Sequence, residues 1–91
     1  MAKFRESELT DILKEFKENS KVELEFEKSI DGRITLNDAN ITYDSKYGFI
    51  NIKSPNGQFK INTTLVYNYE KVKYGIEIDL ETLVIRVKNK T

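Results

Sequence analysis

Ninety-one residues, 38% hydrophobic and 11% aromatic, suffice for one buried core and are too few for two, so a single domain is expected. Lysine plus arginine equals aspartate plus glutamate at 15 each, which removes any overall electrostatic pull toward nucleic acid or an anionic membrane. With neither His nor Cys, the sequence excludes Ser-His-acid and thiol catalysis, thiolate metal sites and disulfides.

No apolar run approaches the roughly 18 residues of a membrane span. The polar start Met1-Ala2-Lys3-Phe4-Arg5-Glu6 lacks the apolar stretch of a signal peptide, so a cytoplasmic protein with no membrane partner is expected. Charge is unevenly divided: residues 1–31 hold six Lys/Arg against nine Asp/Glu, and residues 32–91 hold nine against six. The abundance of Ile, Lys and Asn resembles the proteins of AT-rich genomes, such as those of low-GC bacteria and their phages.

In chain order, Leu9, Ile12, Leu13 and Phe16 recur at the i, i+3, i+4, i+7 spacing of one helical face and predict a helix over 7–18. Ser7 is the expected N-cap, with Glu8 and Asp11 in the first turn, Phe4 as a hydrophobic staple and Asn19-Ser20 as the stop. Strict alternation then begins. Val22, Leu24 and Phe26 oppose Glu23, Glu25 and Glu27 in a strand over 22–27 whose acidic row resists edge pairing.

Ser29-Ile30-Asp31-Gly32 reads as an odd hairpin loop with Gly32 in the left-handed position, which places Leu24 and Phe26 on the face of Ile34 and Leu36. A strand over 33–43 follows. Its inward parity changes between Leu36 and Ile41, so a bulge or short turn is expected within Asn37–Asn40. A strand over 48–53 meets the next through Ser54-Pro55-Asn56-Gly57, where matching Ile50 and Ile52 with Phe59 and Ile61 requires an even loop, read as these four residues. Strands over 59–69, 74–80 and 83–88 complete the pattern, with Tyr67 expected opposite Ile76, Ile78 opposite Leu83, and Ile76 opposite Ile85. The predicted class is α+β: an N-terminal amphipathic helix followed by a six-stranded antiparallel meander, as an open curved sheet or a small barrel.

Four apolar residues, Tyr47, Phe49, Val66 and Val84, lie opposite the predicted core face and form either a second cluster or an exposed patch for a partner. The terminal strands 22–27 and 83–88 are the potential edges. The acidic row of the first complements Arg86 and Lys88 of the second, so residues 83–88 are expected to pair with 22–27 or with a second chain.

Little chemistry is indicated. Glu23, Glu25 and Glu27 stand about 6–7 Å apart by strand rise, a separation that acid/base pairs use, but such pairs need burial to part their pKa values. Asp31, Asp38 and Asp44 fall near loops without calcium-loop spacing, and the four glycines form no nucleotide-binding motif. No enzyme activity, metal or cofactor is expected.

The sequence favours a small non-enzymatic binding or inhibitor protein, of the kind phages and mobile elements carry, acting on a protein partner or on itself. Its candidate interaction residues are Tyr47, Phe49, Val84, Arg86 and Lys88. A nucleic acid is the less favoured occupant because the net charge is zero, although Tyr47 and Phe49 between Lys46 and Lys53 could stack on unpaired bases. Gly32, Ile34 and Asp38 match the spacing of part of the Sm signature, and a helix before a small curved sheet resembles Sm-like and OB-like RNA binders; the Arg-Gly of the second Sm motif is absent. A third reading is a small-ligand protein with a pocket lined by Tyr43, Tyr67, Tyr69 and Tyr74.

Overall fold

A computed structural model describes the backbone of residues 6–90 and the side chains of residues 8–90. Phe4, and the side chain of Ser7, lie outside the described residues. One short helix, α1 (Glu6–Leu13), precedes seven strands: β1 (Ser20–Lys28), β2 (Gly32–Asp44), β3 (Phe49–Ser54), β4 (Gly57–Asn62), β5 (Asn68–Val72), β6 (Gly75–Asp79) and β7 (Leu83–Asn89). Helical hydrogen bonding ends sooner than the apolar spacing suggested. Beyond Leu13 the bonds tighten to Glu15 N–H on the Ile12 carbonyl and Phe16 N–H on the Leu13 carbonyl, and Asn19 turns the chain into β1 at φ 52. Ser7 falls within the helix and so cannot be its cap.

The sheet order is β4-β3-β2-β1-β7-β6-β5, antiparallel throughout. The terminal strands therefore meet: β1 and β7 pair in unbroken register from Val22 opposite Asn89 to Lys28 opposite Leu83. This is the intramolecular alternative expected for residues 83–88. The meander is nonetheless not closed, because the stretch read as a strand over 59–69 breaks at a 3₁₀ turn, Thr63–Leu65. Asn62 caps that turn through its Oδ1, which accepts from the N–H and hydroxyl of Thr64, while the Thr63 N–H and hydroxyl both donate to the Gly48 carbonyl.

The break raises the number of strands from six to seven. Six antiparallel pairings leave the two outer strands, β4 and β5, running in the same direction. Parallel neighbours need a crossover of a dozen or more residues. Residues 63–67 are too few, so the sheet stays open between β4 and β5.

The inward face follows the apolar alternation along most of the strands. Lys21 of β1 faces two residues of β2, Asn37 and Asp38, in a bulge with Asp38 at φ 53, after which Ala39, Ile41 and Tyr43 turn to the core. The β3–β4 hairpin pairs Ile50 with Ile61 and Ile52 with Phe59, and its ladder runs one pair further than expected, to Ser54 opposite Gly57. In the last two hairpins the faces hold but the partners slip by one alternation or more: Ile78 lies opposite Tyr69 and Ile85, and Ile76 opposite Lys71 and Val87. The left-handed residue beside the first hairpin loop is Lys28 (φ 83), at the end of the β1–β7 ladder, and not Gly32.

The sheet curls so far that Phe26 of β1 and Phe59 of β4 approach to 6.3 Å between ring centroids. A single core fills the concave side, with Val22, Leu24, Ile50, Ile52, Ile76, Ile78 and Val87 almost fully buried. Helix α1 lies where β1 begins, between the second half of β2 and β6, with Leu9 and Leu13 in that core. Two contacts tie α1 and the turn after it to β5: the Tyr69 hydroxyl donates to Glu8 at 3.3 Å, and the Lys71 ammonium to Glu15 at 2.6 Å.

Candidate functional site on the outer face of β3 and β4

The convex side divides into two regions of opposite electrostatic character. Over β2, β1, β7 and β6, Glu23, Glu25, Glu27, Glu77, Arg33, Arg86, Lys88 and Lys90 are all in ion pairs. Glu25, 17% exposed at its side chain, accepts from Arg33 at 3.2 Å, Arg86 at 3.3 Å and Lys88 at 3.1 Å. Arg86 also binds Glu27 and, at 2.7 Å, Glu77; Lys90 lies 4.0 Å from Glu23. The Lys88 ammonium, with help from Arg33 and Arg86, holds the Glu25 carboxyl below its ordinary value despite partial burial. A general acid would need the opposite shift.

The second region is the outer face of β3 and β4. Because Ile50, Ile52 and Ile61 point inward, the register places Phe49, Asn51 and Lys53 outward beside Gln58, Lys60 and Asn62. The β2–β3 turn adds Lys46 and Tyr47. Asp44 shapes that turn by accepting from the N–H groups of Lys46 (3.0 Å) and Tyr47 (3.3 Å), and Gly48, at φ 71, completes it. Tyr47 is left 64% exposed, with the Lys46 ammonium 5.2 Å from its ring centroid. Phe49 is half-buried, with Lys60 at 5.7 Å from its ring. Among the described residues none of Lys46, Lys53 and Lys60 is in an ion pair. Their cross-strand neighbours are amides: Lys60 faces Asn51, and Lys53 faces Asn40 and Gln58.

The five interaction residues read from the sequence thus separate. Tyr47 is exposed in the β2–β3 turn, two residues before Phe49, which lies half-buried on the outer face of β3. Val84, expected to contact a partner if its strand were not covered within the chain, is only 8% exposed, with β1 alongside and Glu27 opposite. Arg86 and Lys88 are committed to Glu25, Glu27 and Glu77. Sequence reasoning missed Lys60 and the amides Asn51, Gln58 and Asn62 as members of the Tyr47 face. The signal was available in the hairpin register, which sets Lys60 opposite an amide and Arg86 opposite glutamates.

The four tyrosines of the proposed ligand pocket do not converge. Tyr67 and Tyr74 are exposed near opposite ends of β6, Tyr69 engages Glu8, and Tyr43 lines a groove of about 780 Å³ between α1 and β2 that none of the other three reaches. A second groove, of about 550 Å³, runs beside Lys73, Tyr74, Lys88 and Lys90, but part of its positive charge is spent on Glu23 and Glu25. Among the described residues no group of three or more His, Cys, Asp or Glu side chains is placed to hold a metal, and no helix is long and apolar enough to cross a membrane. Comparison with family models, with curated proteins and with solved structures gave no match.

Proposed function

We propose that the chain is a non-enzymatic binding module whose working surface is the outer face of β3 and β4 around Tyr47 and Phe49. The observation that carries this reading is the contrast between the two convex regions. One neutralises its own charge, whereas the other leaves three lysines without carboxylate partners among the described residues, beside a 64% exposed tyrosine. An exposed tyrosine beside lysines that no carboxylate among the described residues neutralises supports reading this face as the one open to a partner of negative charge.

The test uses the intact chain as bait, with a Tyr47→Ser/Lys60→Glu variant and, as control, Tyr74→Ser. Tyr74 is also exposed and also carries a lysine over its ring, at 5.3 Å, but lies at the β5–β6 turn. A macromolecule that is identified, retained by the wild type and the control, and lost from the double variant supports the assignment. Equal retention by all three baits overturns it. A second reading is self-association through β4, since Gly57–Asn62 ends the sheet with no strand beyond it among the described residues. Sedimentation of the wild type beside Gln58→Pro, which removes an edge N–H, tests it: a dimer abolished by the proline would move the working surface from the face to the edge.

A further inference from the structure

Resting on that face assignment, we infer that its occupant is a single-stranded nucleic acid, with unpaired bases stacked on Tyr47 and Phe49 and the phosphate backbone tracked by Lys46, Lys53 and Lys60. Zero net charge argued against this class for the molecule as a whole, but net charge is the wrong measure here. Glu23, Glu25, Glu27 and Glu77 are paired with Arg33, Arg86, Lys88 and Lys90 on the other convex region, so none of these four carboxylates neutralises Lys46, Lys53 or Lys60. The sole carboxylate among the outward residues of β3, β4 and the β2–β3 turn is Asp44, whose Oδ1 is occupied by two backbone N–H groups of its own turn. The local field is therefore positive, as a phosphate chain requires.

The remaining groups select among anions. An acidic peptide would satisfy the lysines and leave the aromatic rings without a matching surface. A duplex would present phosphates but hide the faces of its bases. A single strand offers both charge and π-faces, and base edges can meet the amides of Asn51 and Gln58, which flank Lys60 and Lys53 on the same face. Lysine ammonium groups within 6 Å of both rings add the cation–aromatic geometry that commonly accompanies such stacking.

Fluorescence anisotropy of labelled oligonucleotides of about 12 bases, which spans the site size of one small domain, tests the inference. Oligo-rU and oligo-dT separate RNA from DNA, and a hairpin duplex of equal charge separates stacking from charge alone. The expected result is saturable binding of a single strand, at least tenfold tighter than the duplex. Three phosphate contacts predict a slope of about −2 in log K against log salt, or roughly a twentyfold loss between 50 and 200 mM. Tyr47→Ala should weaken binding about tenfold, Tyr47→Phe should preserve it, Lys60→Glu should weaken it and flatten the salt slope, and Tyr74→Ala should leave it unchanged. Circular dichroism confirms that each variant is folded.

No anisotropy change with either oligonucleotide at low salt, equal affinity for the duplex, or equal losses in Tyr47→Ala and Tyr74→Ala would overturn the inference. Where oligonucleotides fail but capture of an identified protein still depends on Tyr47 and Lys60, the nucleic acid is wrong and the face assignment stands. Where oligonucleotides bind and survive both Tyr47→Ala and Lys60→Glu, the face assignment falls with it.

Discussion

Gly75 shows how a single position can govern the joint between two strands. A Cβ there would sit 1.8 Å from the Val87 carbonyl oxygen and 3.1 Å from the Lys88 Cα, so the β6 and β7 backbones can approach only because residue 75 has no side chain. Gly75→Ala should cost about 1–3 kcal/mol, read as a lowered denaturant midpoint; an unchanged midpoint would mean that the strands separate freely. Glu81 presents the reverse case, a non-glycine held at φ 71 in the β6–β7 loop. Its side chain is exposed, so Glu81→Gly should raise stability by about 0.5–1 kcal/mol as left-handed strain outweighs the added freedom of the unfolded chain.

Glu25 gives the fold a pH dependence of definite sign. Its carboxyl is held below the ordinary value in the folded state, so the stabilisation is fully present above the unfolded pKa and is lost as pH falls through the folded one. Melting temperature should drop on acidification below about pH 4.5, and Glu25→Gln should flatten that part of the profile. A variant profile parallel to the wild type would assign the acid sensitivity to other groups.

Elements differ in how far the residues alone announced them. Alternation of apolar positions located β1, β2, β3 and β7 to within a few residues, and parity forecast the bulge at Asn37–Asp38, because a face must be buried whichever partner a strand acquires. Parity is blind to slips of two, which is why the β5–β6 and β6–β7 partners were displaced while their faces were right. It also failed at 63–67. Thr63, Thr64, Leu65 and Tyr67 read as strand by propensity and spacing, but the Asn62 cap and the Thr63 bonds to Gly48 favour a turn that sends Val66 to the core and leaves Leu65 and Tyr67 exposed. The candidate face was half legible. Tyr47 and Phe49 stood out, whereas the release of Lys60 and Lys53 from carboxylates depends on who lies across the strand.

Helix α1 is short, and the core side chains it supplies matter more than its length. Leu9 is 1% exposed, and Leu9→Ala should cost about 2–5 kcal/mol by leaving a cavity under the curl. Thermal denaturation checks this; a loss below about 0.5 kcal/mol would show the helix to be a loose cover.

For the whole molecule, the two convex regions should differ in what they contribute. Arg86→Ala removes the cation shared by Glu25, Glu27 and Glu77, leaving only Glu25 with other partners among the described residues, Arg33 and Lys88, and should cost about 1 kcal/mol. Lys53→Glu with Lys60→Glu disturbs no ion pair among the described residues and should change stability by no more than about 0.5 kcal/mol. Comparable losses in the two variants, measured by urea denaturation, would remove the distinction between a region that holds the fold and one that is spare for binding.

The pairing of β1 with β7 also bears on biosynthesis. Residues 22–28 find their partners only at 83–89, the most distant ladder in the chain, and the Lys90 N–H closes it on the Lys21 carbonyl. A ribosome releasing this chain extrudes β1 to β4 first, with one flank of β1 bare and its apolar side chains roofed by nothing from β6 or β7. The nascent meander therefore waits for residues 83–89 to be translated before its central strand is enclosed, and pairing across so long a stretch of chain is slow relative to hairpin formation. The row Glu23, Glu25, Glu27 then acts before the native state exists: until Arg86 and Lys88 emerge, it is a strip of like charge that discourages neighbouring chains from adding to the waiting edge.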